Sequence, residues 1–367
     1  MAHVRGHRSV YDGWAAGGAP GWGFADLLPY FRRSERTEGR DPALRGTGGP
    51  VRVAPVPETA RHPVARAFAA ALDGAGCPAT DDLSGALQEG VAWADLAIAG
   101  GERVSPADAY LRPALYRPNL TVETGCLVTG LRVEHGRCAG VSYLRDGAPA
   151  GARLAMVSYA APGPLPASSY NHGEVYAALH SERAGACPDL HLFPILLPLA
   201  PAGCPPPPRG YVIAAAVVAP DSRGSVQLAS ASPHAAPLID PGFLRDRRDT
   251  DRLEAGLRLI RQAAAGTAFS GMPAAEAWPG ADVRTSARLR EFIRRTVSSY
   301  YHPAGTCRTG TGPGAVTDPQ LRVHGVAGLR VADASVMPVL PNAHPNATVL
   351  AIAERAAELI SGPGLVV

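Results

Sequence analysis

Two histidines in this chain sit where the backbone is fixed on either side. His302 lies in Ser299-Tyr300-Tyr301-His302-Pro303-Ala304-Gly305-Thr306-Cys307, and His344 lies in Pro341-Asn342-Ala343-His344-Pro345-Asn346. Proline fixes φ and glycine permits a sharp turn, so both imidazoles are presented from ordered loops. Imidazole is the side chain whose ordinary pKa lies nearest neutrality. A pair on two rigid turns can divide labour, one ring accepting a proton while the other orients the same hydroxyl. The spacing also suits surface or structural histidines, so the pair enters as a candidate acid–base site.

Other chemistry is poorly supplied. His324, in Arg322-Val323-His324-Gly325-Val326, reads as part of a turn before a strand, and His62, His180 and His234 have no supporting context. No G-x-S-x-G elbow is present for a serine nucleophile. Asp81-Asp82 runs into Leu83-Ser84-Gly85 and reads as a turn. The cysteines (Cys77, Cys126, Cys138, Cys187, Cys204 and Cys307) are scattered without a C-x-x-C pair or clustered histidines, so free thiols are expected and no metal site. The nearest string to a nucleotide cradle, Gly310-Thr311-Gly312-Pro313-Gly314-Ala315, is interrupted by proline. Val316-Thr317-Asp318-Pro319 behind it cannot open a long helix, so it is expected to hold no pyrophosphate.

The two histidine loops need a scaffold, and the composition supplies one. With 367 residues, 46% hydrophobic and 18% charged, the chain can bury one large core or two coupled ones, and two domains are expected. Its 35 basic residues, all Arg, nearly balance 32 acidic ones, which excludes a strongly basic nucleic-acid binder. The longest strongly apolar stretch without an internal proline, around residues 211–220, is far short of the roughly 20 residues of a membrane span. Met1-Ala2-His3-Val4-Arg5-Gly6-His7 lacks the apolar core of a secretory signal, so a cytoplasmic protein is expected.

Periodicity places the elements. Residues 21–31 read as a turn feeding a short helix, with a Gly/Pro loop at 46–50. Val64, Phe68 and Leu72 mark an amphipathic helix over 63–74. Residues 119–144 read as a β meander, with strands at 120–124 and 138–144 punctuated by Gly125, Gly136 and Gly147. Apolar runs between 190 and 229 are broken by the prolines at 205–208. A helix is predicted over 251–262 from Leu253, Leu257 and Ile260, after a sign-alternating, solvated approach at 245–249. A last helix is predicted over 347–360 with Asn346 as its N-cap and Val349, Ile352, Ala356 and Leu359 facing inward. With no internal repeat, a mixed α/β or α+β architecture fits best.

Taken together, three C-terminal strings resemble a known signature. They are residues 299–307, then Val316-Thr317-Asp318-Pro319-Gln320-Leu321-Arg322-Val323-His324-Gly325, then Gly328-Leu329-Arg330-Val331-Ala332-Asp333-Ala334-Ser335-Val336-Met337-Pro338. The signature is that of the glucose-methanol-choline (GMC) oxidoreductase family. Supporting pieces are Val4-Arg5-Gly6-His7 with Tyr11-Asp12-Gly13-Trp14, residues 21–35, Gln88-Glu89-Gly90, residues 103–113, and Ser222-Arg223-Gly224-Ser225-Val226-Gln227-Leu228.

The resemblance implies an FAD-dependent oxidation of a small alcohol, with His302 at the position of the base and His344 at that of its His or Asn partner. It also implies cofactor contacts from Asp333 and Ala334 and from Asn346 and Ala347, where the positive end of the last helix would face the flavin pyrimidine. The expected fold is a truncated GMC type. Residues 1–48, 119–165 and 295–367 would be the remnant of an FAD-binding domain, and 49–118 and 166–294 a substrate domain with a mostly antiparallel sheet and helices. The family's N-terminal βαβ unit with G-x-G-x-x-G has no counterpart in this sequence, and a further flavin-domain stretch is expected to be missing near residues 154–164. A parallel sheet without that unit would expose apolar faces, so a homo-oligomer or a partner chain covering them is expected, with no nucleic acid or membrane partner. Two other readings follow from the same residues: a flavin-free descendant using the histidines for isomerase, lyase or cyclase chemistry, and a non-catalytic binding remnant.

Overall fold

Strand Gly210–Val217 carries almost no polar side chain and is buried on both faces, which is what the interior of a covered sheet requires. In the computed structural model, which describes residues 2–124, 126–145, 155–168, 172–182, 184–272 and 274–362, this strand lies inside a six-stranded sheet. The order across the sheet is Ala275–Trp278, Met156–Ala160, Gly210–Val217, Leu190–Ile195, Val175–Leu179, Gly90–Trp93. Every pairing is antiparallel. The sheet therefore draws on residues from 119–165 as well as from 49–118 and 166–294.

Side chains alternate between the two faces of a strand, and each face here has its own core. Leu190, Leu192, Ile213 and Ala215 point to the side covered by helices Pro63–Gly74, Arg247–Ala264 and Ser286–Thr296, which contribute Phe68, Leu72, Leu257, Ile260, Leu289 and Ile293. The helix over 63–74 forms where predicted: Pro63 opens it and the His62 ring accepts from the Val64 N–H at 3.1 Å, so His62 is a cap. The helix over 247–264 can lie against the sheet because Gly256 has no Cβ, which would come within 2.9 Å of the Ala215 methyl. Its approach is less solvated than predicted. Asp249 is buried and accepts from the Asp221 and Ser222 N–H groups at 2.9 Å.

The opposite face carries Tyr176, Ala178, Phe193, Val212, Ala214 and Ala216 and packs toward Ala343 and Tyr300. This face is the floor beneath the two histidine loops. A third core joins helices Arg8–Ala16, Phe24–Ser34 and Asn346–Ser361 through Tyr11, Trp14, Leu27, Phe31, Ala347, Ala351 and Ile352.

Two elements differ from the sequence reading. Residues 120–124 are not a strand. Leu120 and Val122 are exposed, and pairing begins only at Cys126–Glu134, which forms a two-stranded hairpin with Arg137–Arg145. Gly125 and Gly147 lie outside the described residues. The last helix is capped by Pro345, whose carbonyl accepts from the Val349 N–H at 2.8 Å, so Asn346 is its first helical residue and not its cap. Proline's fixed φ of −72° already suits the helix start.

The described residues contain no parallel sheet longer than the two-residue pairing of Glu35–Arg36 with Val51–Arg52. Exposed apolar side chains stand instead on two hairpins, Val128, Leu131, Val133 and Val141 on one and Val226, Leu238 and Ile239 on the other. No described helix is long and apolar enough to cross a membrane.

Candidate active site

His302 is set by a turn that only a strained backbone can make. Tyr301 before it adopts a left-handed φ of 64°, and its N–H donates to the Ser299 hydroxyl at 2.9 Å. Beyond the ring the chain is pinned by backbone bonds from Gly305 to Ala334, Cys307 to Ser335 and Thr309 to Val336. The short 3₁₀ turn Ala334–Val336 thus serves as a rail for the His302 loop.

His344 is fixed from the other end of the chain. Asn342, also left-handed at φ 47° and almost fully buried, accepts from the His7 N–H at 2.8 Å and donates to the Pro188 carbonyl at 2.9 Å. Gly6 lies so close that an added Cβ would stand 1.9 Å from the Pro341 oxygen. Residues 3–6 are in turn strapped down by Glu35, which accepts from Arg5, from Arg45 Nε at 2.8 Å and from the Gly46 N–H at 3.1 Å, and pairs with His3 at 3.1 Å. Burial alone would raise the Glu35 pKa. The His3 hydrogen bond and the two guanidinium charges outweigh it and hold the carboxyl well below its usual range.

The loops bring the two predicted histidines together, with ring centroids 5.3 Å apart and planes at 73°. Tyr300 stands beside both. Its ring centroid is 4.8 Å from His302, and its hydroxyl is 3.0 Å from His344 Nε2. Phe193 stacks on Tyr300 at 5.3 Å, Tyr176 meets His344 edge-on at 4.7 Å, and His191 lies 6.1 Å from His344. Burial pushes His302 down to about 4, opposed in part by a hydrogen bond to the Tyr301 backbone. Burial and then repulsion from His302 bring His191 to about 4 as well. His344 is driven well below its ordinary value by burial and by the other two imidazoles. At neutral pH all three rings are uncharged.

The remaining predicted residues fall in two places. Asn346 and Ala347 follow His344 after Pro345, at the start of the 16-residue last helix, which has no side-chain cap. Its first N–H groups and positive dipole end therefore stay available beside the imidazoles. The Ala347 methyl is fully buried in the third core. Asp333 is exposed and spends its carboxylate on its own turn, accepting from the Ser335 N–H at 2.8 Å, while the Ala334 carbonyl accepts from Gly305. A flavin ring, which gains negative charge on reduction, fits the uncapped helix end next to neutral bases. A pyrophosphate has no comparable seat among the described residues. The Gly310–Ala315 string is a turn closed by the Gly310 N–H to the Thr317 carbonyl, with no helix behind it.

Sequence reasoning missed Tyr300 and His191. Tyr300 adjoins the motif, but nothing local distinguishes it from Tyr301. His191 is on a buried strand, and only the sheet register, which sets it between Ala178 and Ala216, turns it toward the histidine loops.

Two profiles described as GMC oxidoreductase match residues 1–159 and 220–353. The chain belongs to the GMC oxidoreductase family, whose members bind FAD and oxidise alcohols. It is 31% identical to human mitochondrial choline dehydrogenase over 440 residues, covering 99% of this chain and 74% of that protein. It is also 31% identical to the oxygen-dependent choline dehydrogenase of Rhizobium johnstonii, covering 99% of this chain and 79% of the relative. Among solved structures, pyridoxine 4-oxidase from Mesorbium loti superposes with a TM-score of 0.87 at 28% identity, covering 98% of this chain and 81% of that enzyme. Aspergillus oryzae formate oxidase shares the fold, with a TM-score of 0.83 at 19% identity.

Proposed function

We propose that this protein oxidises the CH–OH group of a small alcohol, with His302 as the base and His344 as the group that orients the hydroxyl end of the site. The observation that carries this reading is the meeting of two uncharged imidazoles, 5.3 Å apart, at the uncapped start of the last helix. FAD, when bound, supplies the two-electron acceptor. The Asn346 and Ala347 N–H groups would hold its ring edge. A neutral imidazole keeps one ring nitrogen as an acceptor, and in His302 that nitrogen would take the hydroxyl proton. Phe193 and Tyr176 shut water out from below, so the proton moves within a dry wall. That wall carries no formal charge, which suits an uncharged alcohol.

The visible spectrum of the protein purified with FAD supplied tests the cofactor. Yellow colour that stays with the folded protein through gel filtration is expected. A folded, colourless protein overturns the flavin reading and favours a flavin-free use of the histidines.

The strap on His344 gives a second expectation. Gly6→Ala forces the Pro341–His344 turn outward, since the new methyl and the Pro341 oxygen cannot share the space. Misplacing a catalytic group by an ångström costs on the order of 10²-fold in rate. Turnover should fall by about that much while the melting curve stays cooperative. Unchanged turnover would mean that the turn does not set His344.

A further inference from the structure

We propose that Tyr300 is the third hydrogen-bonding member of this site: held by His344 Nε2, its phenol donates to the alcohol oxygen while His302 takes the proton. The inference deepens the alcohol-oxidising reading and rests on it. A simple pair of histidines would have His344 itself meet the hydroxyl. In this structure the Nε2 of His344 is taken by Tyr300 Oη at 3.0 Å, and its Nδ1 is buried with no hydrogen-bond partner among the described residues. His344 can therefore reach the alcohol only through the phenol.

The tautomer follows from that accounting. A buried N–H without an acceptor is rarer than a buried acceptor left unfilled. The geometry puts the proton of neutral His344 on Nε2, where it has an acceptor in Tyr300 Oη, and leaves Nδ1 as the bare lone pair. The phenol hydrogen is then free to point away from His344. Tyr300 is clamped for this task, stacked on Phe193 at 5.3 Å with planes 29° apart and set edge-to-face with His302 at 4.8 Å. Burial raises the Tyr300 pKa well above its ordinary value, so the phenol keeps its proton when negative charge develops beside it.

The step balances. The alcohol O–H bond breaks and an N–H bond forms on His302. The electron pair stays on the alcohol oxygen, now an alkoxide hydrogen-bonded by Tyr300, and Tyr300 and His344 each end with the proton they began with. Removing one such donor from developing oxyanion charge costs roughly 10²–10³-fold.

Two measurements test this. Nitrogen NMR of histidine-labelled protein at neutral pH reads the His344 tautomer without any turnover. A protonated Nε2 is expected, and a proton on Nδ1 overturns the proposal. Tyr300→Phe keeps the ring stack and removes only the hydroxyl. With benzyl alcohol as the probe, kcat should drop about 10²-fold while KM moves less than threefold, and adding His344→Ala should slow it little further. A Tyr300→Phe protein that is as fast as the parent, or faster, overturns the proposal by showing the phenol to be a spectator or a block. If the parent protein turns over no alcohol, the functional reading fails, and the NMR result still decides the Tyr300–His344 pairing.

Discussion

Replacing His302 with alanine is expected to lower alcohol turnover by about 10²–10⁴-fold, the range for loss of a general base, while the circular-dichroism melt stays close to that of the parent. His302 is half-buried on a loop pinned by backbone bonds from Gly305, Cys307 and Thr309, so its ring can be removed without unzipping the loop. The pH profile carries the same information. With the imidazole pushed down to about 4 by burial, kcat/KM should stay flat through neutrality and fall only as the pH nears that value. Stability should follow in the same direction. An imidazole whose folded pKa lies below the ordinary 6.5 binds protons more readily when unfolded, so its contribution is present above 6.5 and is lost as pH falls toward 4. His302→Asn should flatten that loss. An activity limb centred near 6.5, or full turnover in His302→Ala, would remove this ring from the mechanism.

The largest expected stability effect comes from a residue that never approaches the site. Glu35→Ala should destabilise the protein by about 3–5 kcal/mol, because it leaves the buried Arg5 and Arg45 guanidiniums without their shared carboxylate. Arg45 retains Asp82 and Asp95, whereas the Arg5 guanidinium keeps the Leu44 carbonyl and the face of the Phe31 ring but no carboxylate bonded to it. Arg5 is next to Gly6, so loosening it frees the strap that places Asn342 and His344, and turnover should fall together with stability. Because the Glu35 carboxyl is held below its usual range, its contribution is present above the ordinary value of 4.5 and fades as pH falls beneath it. Urea unfolding at neutral pH measures the effect, and a loss under 1 kcal/mol would show that the cluster is neutral in balance.

What could be read from the sequence was what is local. The helix at Pro63–Gly74 announced itself by a 3.6-residue pattern behind a proline, and the histidine loops by flanking prolines and glycines. The alternation at Leu120 and Val122 looked like a strand, but no described residue pairs with it, and alternation without a partner edge holds nothing in place. Pro194 is tolerated inside the strand Leu190–Ile195 because it sits beyond Leu192, the last residue paired to Val175–Leu179, where its missing N–H costs that neighbour nothing. His191 and Tyr300 were illegible because their roles depend on which strands pair and how the faces turn. Nothing in the sequence pairs Glu35 with Arg5 and Arg45, and burial makes the three a lock.

Anaerobic mixing of the FAD-loaded protein with a panel of uncharged primary and secondary alcohols reads the half-reaction in which the alcohol is oxidised. At least one alcohol should bleach the visible flavin band in a single exponential, deuterium on its carbinol carbon should slow the bleaching, and His302→Ala should slow it at least 10²-fold. A flavin that stays oxidised with every alcohol, or that bleaches as fast without His302, would contradict the account.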